Sequence, residues 1–158
     1  MKNRIISIIL LAAVCLLSLC CCDYIFGDVA DDGKVTVVVE ATDGTYQVYK
    51  THLELVENKH EGAKGVVEHL NKRGENPLAL EMVDSTYGAY VSAIGSIKEN
   101  ASEGMYVIVY TSVKADSYAG APTLDYEGTT MYQAGLGLSS MTVEEGTVIL
   151  FRLEKSPY

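Results

Sequence analysis

The sequence predicts an α+β domain in which one main helix packs across a face of a β-grasp-like mixed sheet. Two strand-like segments come first, at residues 35–41 and 45–50, and an apolar helical stripe follows within residues 63–70. Further strand-like runs occur at residues 105–113 and 147–153. A single helix between a hairpin and later strands is typical of folds in which helices cover one face of a sheet.

The first predicted element is a β-hairpin. In residues 35–41 (VTVVVEA) successive side chains alternate between two faces, and every residue on one face is valine or alanine, which is typical of a half-buried strand. The Asp43-Gly44 dipeptide is a turn signal, so residues 45–50 (TYQVYK) should pair back on the first strand. Residues 52–56 (HLELV) fit either an extension of that strand or an approach to the helix.

The predicted helix has one apolar face and a glycine at its C-terminal end. Gly74 follows two basic residues, which suits a helix C-cap. Gly62 and Gly65 each weaken a helix by up to about 1 kcal/mol relative to alanine, so packing on the sheet must compensate. The apolar face consists of Ala63, Val66, Val67 and Leu70.

The second half of the chain predicts strands more than helices. Residues 105–113 (MYVIVYTSV) are apolar on both faces, which is typical of a central, buried strand. Residues 147–153 (TVILFRL) predict a final strand after a Glu-Gly turn signal. After Pro77, residues 78–83 fit a short strand, and residues 87–97 (YGAYVSAIGSI) fit either a strand or a turn and helix. We expect a loop at residues 114–125. Residues 129–138 have no clear hydrophobic period.

The N-terminus predicts export and a lipid anchor. Lys2 and Arg4 precede an apolar run over residues 5–19, which is typical of a signal peptide. The run is shorter than the roughly 20 residues of a membrane-spanning helix, although a retained anchor helix is an alternative. The segment SLCCC is similar to a bacterial lipobox, and Cys22 fits best as the lipidated residue because Leu19 stands three positions before it. A plain secretory signal is the other alternative.

These features divide the chain into a signal peptide (1–22), an acidic tether (23–33) and a single domain (34–158). All four cysteines lie in the first part, which excludes a disulfide scaffold and a cysteine-ligated metal in the domain.

After residue 22 the chain has 10 basic and 21 acidic side chains, a net charge of −11. An acidic surface repels phosphate backbones, so we expect no nucleic-acid partner. We expect an extracytoplasmic protein whose attachment to the cell membrane depends on the lipid.

The sequence contains no motif of a common catalytic class. G-x-S-x-G, the P-loop and H-E-x-x-H are all missing. The pairs His60-Glu61 and Glu68-His69 have the residue types of a metal or acid-base site. A charged, solvated outer face of the helix is the interpretation that we favour, because further charged residues occur along the same predicted helix. We therefore expect a protein that is not an enzyme, with no metal site and no required cofactor.

Tyrosine is the most informative residue type. The chain has 11 tyrosines, two phenylalanines and no tryptophan. A tyrosine ring is apolar and its hydroxyl is polar, which suits half-buried binding surfaces. If residues 105–113 form a strand, Tyr106 and Tyr110 share a face with Ile108, and that face could stack on a flat ligand or a partner's chain. Ordinary sheet packing is the alternative interpretation.

Several short motifs, in this order and spacing, resemble the transcobalamin-like C-terminal domain, which also occurs in bacterial surface lipoproteins. After the hairpin and helix come a glycine and aromatic segment at residues 87–95 and an aromatic strand at residues 105–113 that ends in Thr111-Ser112. An acid-glycine turn then leads into an exit strand at residues 144–149. The resemblance covers roughly residues 35–153.

The resemblance implies a corrinoid such as cobalamin, or another bulky small molecule, as the ligand. The resulting interpretation is a lipid-anchored extracytoplasmic binding module. The alternative is a surface protein-interaction or adhesion-accessory domain that docks an envelope protein and has no small-molecule ligand. The candidate ligand-binding residues are Tyr87, Gly88, Tyr90, Tyr106, Tyr110, Thr111 and Ser112.

Metabolic labelling with a fatty acid tests the lipid anchor. We expect the wild-type chain to incorporate the label and the triple variant Cys20→Ser, Cys21→Ser, Cys22→Ser to lose it, because acylation requires a cysteine sulfur. Label that persists in the triple variant would show that the chain is not a lipoprotein.

Overall fold

The computed structural model describes residues 34–73, 78–86 and 88–155, which form two sheets and one main helix. The predicted signal peptide, Cys22, the acidic tether, Gly74 and Tyr87 lie outside the described residues. The helix α1 spans Gly62–Lys72. The strands are β1 (Val35–Glu40), β2 (Tyr46–Thr51), β3 (Glu81–Ser85), β4 (Gly88–Ile94), β5 (Ile97–Lys98), β6 (Met105–Thr111), β7 (Thr123–Tyr126), β8 (Thr129–Gln133) and β9 (Val148–Lys155).

The strand order confirms the predicted α+β class. The larger sheet has the order β2-β1-β9-β6-β8-β7, and the smaller sheet has the order β3-β4-β5. β1 pairs in parallel with β9, whereas the other described pairings are antiparallel. A first hairpin, a following helix and a last strand parallel to the first form a β-grasp-like arrangement.

The main core lies between α1, the smaller sheet and one face of the larger sheet. β1 contributes Val35, Val37 and Val39 to this face, and all three side chains are fully buried. Ile149 and Phe151 of β9 lie beside Val37 and Val39 in the parallel register. Burial of each such side chain stabilises the fold by about 1.5–3 kcal/mol. From α1 the core receives the predicted stripe of Ala63, Val66, Val67 and Leu70.

A second, smaller core lies on the opposite face of the larger sheet. The rings of Tyr46 in β2 and Tyr126 in β7 meet edge to face, with centroids 5.2 Å apart and planes at 78°. Since β2 and β7 are the two edge strands, the sheet curls until its edges touch at this point. The curl encloses the side chains of Val38, Tyr110, Tyr126, Met131 and Leu150.

The sequence prediction missed β7 and left residues 87–97 and 129–138 undecided. β7 begins at Thr123, inside the segment predicted as a loop, and it is only four residues long. Residues 87–97 contain two strands and residues 129–138 contain β8. β3 starts three residues later than predicted. Of these strands, β3, β5, β7 and β8 have five residues or fewer, so they carry too few buried positions for a clear alternation.

The glycines of α1 lie on its buried face, where neighbouring backbone comes close. A methyl group on Gly65 would overlap the carbonyl of Asn58, and one on Gly62 would overlap the carbonyl of Met141. Gly62 also has a φ of +57°, which favours glycine. Glycine lowers the intrinsic helix propensity at these two positions, but it allows the neighbouring backbone to pack closely against the helix.

We expect Gly65→Ala to lower the free energy of unfolding by about 1–2 kcal/mol, although alanine is the better helix former. Overpacking against a backbone carbonyl costs about 1–3 kcal/mol, which exceeds the gain in propensity. Urea unfolding followed by circular dichroism measures the change. The control is Glu68→Ala on the half-buried polar face of the same helix, where no such overlap arises. A more stable Gly65→Ala variant would contradict this packing.

Candidate functional site

The predicted face of β6 exists and carries two of the candidate residues. Tyr106 pairs with Glu154 of β9, Ile108 with Arg152, and Tyr110 with Leu150. Paired residues of antiparallel strands project on the same side of the sheet. Tyr106, Ile108 and Tyr110 therefore share the face that lies away from α1, as the sequence predicted.

Tyr110 has a buried ring and a hydrogen-bonded hydroxyl. The residue is only 3% exposed, and its ring belongs to the second core. Its hydroxyl donates to Glu154 Oε1 at 2.9 Å. Burial, together with this acceptor, raises the pKa of Tyr110 to about 12. The ring is thus a core element, and the hydroxyl end is the part that meets the polar surface.

A second carboxylate and a guanidinium extend this polar surface. Arg152 Nε lies 3.1 Å from Glu154 Oε1 and 3.6 Å from Glu40 Oε2. Neither ion-pair contact is a hydrogen bond, and the buried Nε–H lacks an acceptor among the described residues. Near Tyr110, the hydroxyl of Tyr118 donates to Gln133 Oε1 at 3.1 Å. The Tyr118 residue is 49% exposed.

Tyr90 lies on β4 of the smaller sheet and joins the same series of hydroxyls. Its hydroxyl donates to the Glu99 carboxylate, whose other oxygen accepts from the backbone N–H of Val107 at 3.3 Å. Partial burial and the Glu99 acceptor raise the pKa of Tyr90 to about 12, and nearby Tyr106 adds to the rise. Tyr90 is 39% exposed. We call Tyr90, Tyr106, Tyr110 and Tyr118 the tyrosine row.

The other candidate residues have structural contacts. Thr111 is fully buried, and its hydroxyl accepts from the N–H of Val113 at 3.1 Å. Ser112 Oγ accepts from the N–H of Val148 at 3.0 Å, so it links the ends of two strands. Gly88 has a φ of +104° and lies against Gly137, where a side chain would be crowded. The structure therefore brings Tyr90, Tyr106 and Tyr110 together and places Thr111 on the opposite face of β6.

The tyrosine row and its neighbours are rich in hydrogen-bond acceptors. Glu40, Glu99 and Glu154 contribute three carboxylates, and the Arg152 guanidinium lies near two of them, Glu40 and Glu154. An ionised carboxylate accepts about four hydrogen bonds, and a phenol that donates can still accept. Several acceptor positions thus stay open on a surface formed partly by aromatic rings. Such a surface is suited to a ligand with many N–H donors.

The structure also contains a groove that the sequence analysis did not find. It lies between α1 and β3, on the side of the domain away from the tyrosine row, and has a volume of about 510 Å³. It is built from polar helix residues that the sequence could only assign to an outer face. The residues lining it are Lys64, Glu68, Asn71, Lys72, Leu80, Met82 and Asp84.

Two features are missing from the described part of the chain: a metal-ligand cluster and a membrane-spanning helix. Residues 34–155, apart from the two gaps, contain no group of three or more histidine, cysteine or carboxylate side chains arranged to hold a metal ion. The same residues contain no helix that is long and apolar enough to cross a membrane. His69 lies on α1 with a buried Nε2 that lacks a hydrogen-bond partner among these residues.

Comparisons with known proteins identify the fold. No protein-family profile and no curated protein matches the chain. The chain is similar to a solved structure of a "putative metal binding protein" from Ruminococcus gnavus, with a TM-score of 0.54, 14% identity, and coverage of 78% of this chain and 98% of that one. It is also similar to haptocorrin in complex with Cbi, with a TM-score of 0.52 and 15% identity.

The haptocorrin match covers 78% of this chain and 25% of haptocorrin, so the chain spans about a quarter of that protein's length. Haptocorrin belongs to the transcobalamin family that the sequence motifs resemble. At these identities the similarity lies in the fold alone. The similarity therefore indicates no ligand, and any ligand preference of this chain depends on its own side chains.

The hydrogen bond from Tyr110 to Glu154 predicts a pH-dependent contribution to stability. The raised pKa means that the folded chain keeps a phenol proton that the unfolded chain loses near pH 10. This contribution is complete below pH 10 and is lost as the pH rises to about 12. We expect Tyr110→Phe to lower the free energy of unfolding at pH 7 by about 1.5 kcal/mol.

Denaturant unfolding at several pH values measures this effect. The difference between wild type and Tyr110→Phe should shrink between pH 10 and 12. The control is Tyr132→Phe, which removes a hydroxyl with no hydrogen bond in the described structure and keeps the ring beside Lys114. A difference that stays constant with pH would rule out the buried phenol as its cause.

Proposed function

We propose that this chain is a lipid-anchored extracytoplasmic module that binds a bulky small molecule rich in N–H donors, without catalysing a reaction on it. The ligand lies along the tyrosine row. The observation that carries the proposal is the set of carboxylate and phenol acceptors beside the half-buried Tyr106 and the exposed Tyr90 and Tyr118. Ligand sites commonly combine an aromatic surface with a few polar groups that fix orientation.

A corrinoid is the first ligand class to test. Its flat macrocycle carries amide side chains, whose N–H groups would donate to Glu99, Glu154 and the phenol oxygens. The shared fold with haptocorrin, solved in complex with Cbi, supports this choice of probe. No nucleic acid and no cofactor forms part of the proposal, and the anchor on Cys22 keeps the module at the membrane.

A second candidate function is docking of an envelope protein on the edge of the larger sheet. β2 is an edge strand, and its Tyr46 and Val48 are 48% and 40% exposed. An unpaired edge with exposed apolar side chains can accept a strand from another protein. The sheet itself would then be the functional surface, and the tyrosine row would be part of its packing.

Titration of the full-length chain, purified in detergent, with cobinamide and cobalamin tests the first proposal. We expect saturable heat in calorimetry and a shift in visible absorbance. Tyr106→Phe and Glu154→Gln should each weaken binding by about two- to tenfold, because each removes one polar contact.

The matched control is Tyr132→Phe, which makes the same change on the other face of the sheet. We expect it to leave binding unchanged. Absence of heat and of any spectral change at millimolar ligand would exclude corrinoids and favour the docking function. Binding that is equally weakened by the control would show that the row is not the site.

A further inference from the structure

The smaller sheet has an open edge at β3. The strand order β3-β4-β5 places β4 on one side of β3, and no strand among the described residues pairs with its other side. The larger sheet differs, because the rings of Tyr46 and Tyr126 join its two edge strands. The open edge of a strand presents a row of backbone N–H and C=O groups to which another strand can bind.

An exposed pair of apolar side chains lies beside this edge. Val83, at the centre of β3, is 52% exposed. It lies directly opposite Tyr90 of β4, which is 39% exposed. Residues paired in this way project on the same face of the sheet, where an aromatic and a β-branched side chain stabilise each other. A strand added beside β3 would therefore extend an apolar contact that already crosses two strands.

Both carboxylates of β3 lie beside a lysine. Lys98 Nζ donates to the two carboxylate oxygens of Glu81 at 2.8 and 2.9 Å. Lys64 Nζ lies 3.6 Å from Asp84 Oδ1 and equally far from Glu61 Oε2 on its own helix. These lysines offset the negative charge of the edge, although the whole chain has a net charge of −9. Electrostatic repulsion between two copies is therefore weaker at β3 than the net charge suggests.

We propose that β3 pairs with β3 of a second copy of this chain, antiparallel and about a two-fold axis at Val83. The two smaller sheets then form one sheet with the strand order β5-β4-β3-β3-β4-β5. Tyr90 and Val83 of one copy and Val83 and Tyr90 of the other lie in a row across its four central strands. Self-complementary contacts of this kind generate two-fold dimers, the commonest homo-oligomers.

The residues of β3 fit this register. Val83 lies opposite Val83 of the second copy, Met82 opposite Asp84, and Glu81 opposite Ser85, so that all five residues of the strand pair. Neither acid meets another acid, an arrangement that would destabilise the pairing. Pairings centred on Met82 or Asp84 use only three residues of β3, and the one centred on Asp84 opposes two carboxylates. One short strand from each copy buries a small interface, which is typical of a transient dimer.

Sedimentation equilibrium of the full-length chain in a density-matched detergent tests the proposal. We expect a monomer–dimer equilibrium with a Kd of about 1–100 µM. Val83→Asp should weaken the dimer by at least about tenfold, because it places two carboxylates opposite each other. The matched control is Leu55→Asp, since Leu55 is also 52% exposed but lies in a short helical turn after β2. A wild-type chain that stays monomeric at millimolar concentration, or an equal effect of the two variants, would overturn the proposal.

The variant Val83→Cys tests the register without introducing a charge. Its background is a full-length chain in which the four native cysteines are changed to serine. We expect a disulfide between two copies under mild oxidation, because directly opposite residues of antiparallel strands have Cα atoms about 4.5–5.5 Å apart, within disulfide range. Leu55→Cys in the same background should stay monomeric on non-reducing electrophoresis. Absence of the Val83→Cys disulfide, or equal crosslinking of both variants, would contradict the pairing.

Discussion

The parallel pairing of β1 with β9 is the contact on which the rest of the domain depends. It joins residues more than a hundred positions apart, such as Thr36 and Val148, and places the first and last strands side by side in the larger sheet. Both strands are buried on two faces. Val37 and Ile149 point toward α1, whereas Val38 and Leu150 point into the curl of the sheet. One pairing therefore supplies the centre of both cores. Because it must close a long loop, we expect the domain to fold more slowly than a helical bundle.

The two cores give the two faces of the domain different chemistry. On one face the helix covers the sheet, and the imperfect closure between α1 and β3 leaves a groove with mixed charges. On the other face the sheet covers itself by curling, with Tyr46 against Tyr126. Tyrosine suits this second arrangement, because its ring can fill the curl while its hydroxyl reaches the polar rim. Tyr110 does both, with its ring in the core and its hydroxyl on Glu154.

The sequence predicted those parts of the structure in which local pattern and burial agree. Residues 35–41 alternate because β1 is central, and residues 105–113 are apolar because β6 lies between β9 and β8. β7 was missed because a four-residue edge strand has one buried side chain, that of Tyr126, and so no visible period. The shared face of Tyr106 and Tyr110 followed from strand periodicity. The positions of their acceptors, Glu99 and Glu154, could not be predicted in this way. These residues come from other parts of the chain, and their approach to the tyrosines depends on how the strands pair.

The groove shows why a fold alone does not define a ligand. Lys64, Glu68 and Lys72 form an ordinary charged helix face in the sequence, and only the structure shows that Lys64 also meets Asp84 across the groove, in addition to Glu61 on its own helix. Likewise, the Asn71 side-chain oxygen is buried by tertiary packing and has no hydrogen-bond donor among the residues that the structure describes, which no sequence pattern indicates. A structural relative with 14% or 15% identity need not share either feature. Any ligand proposed for this domain must therefore be argued from a few side chains whose surroundings arise from how the fold closes around them.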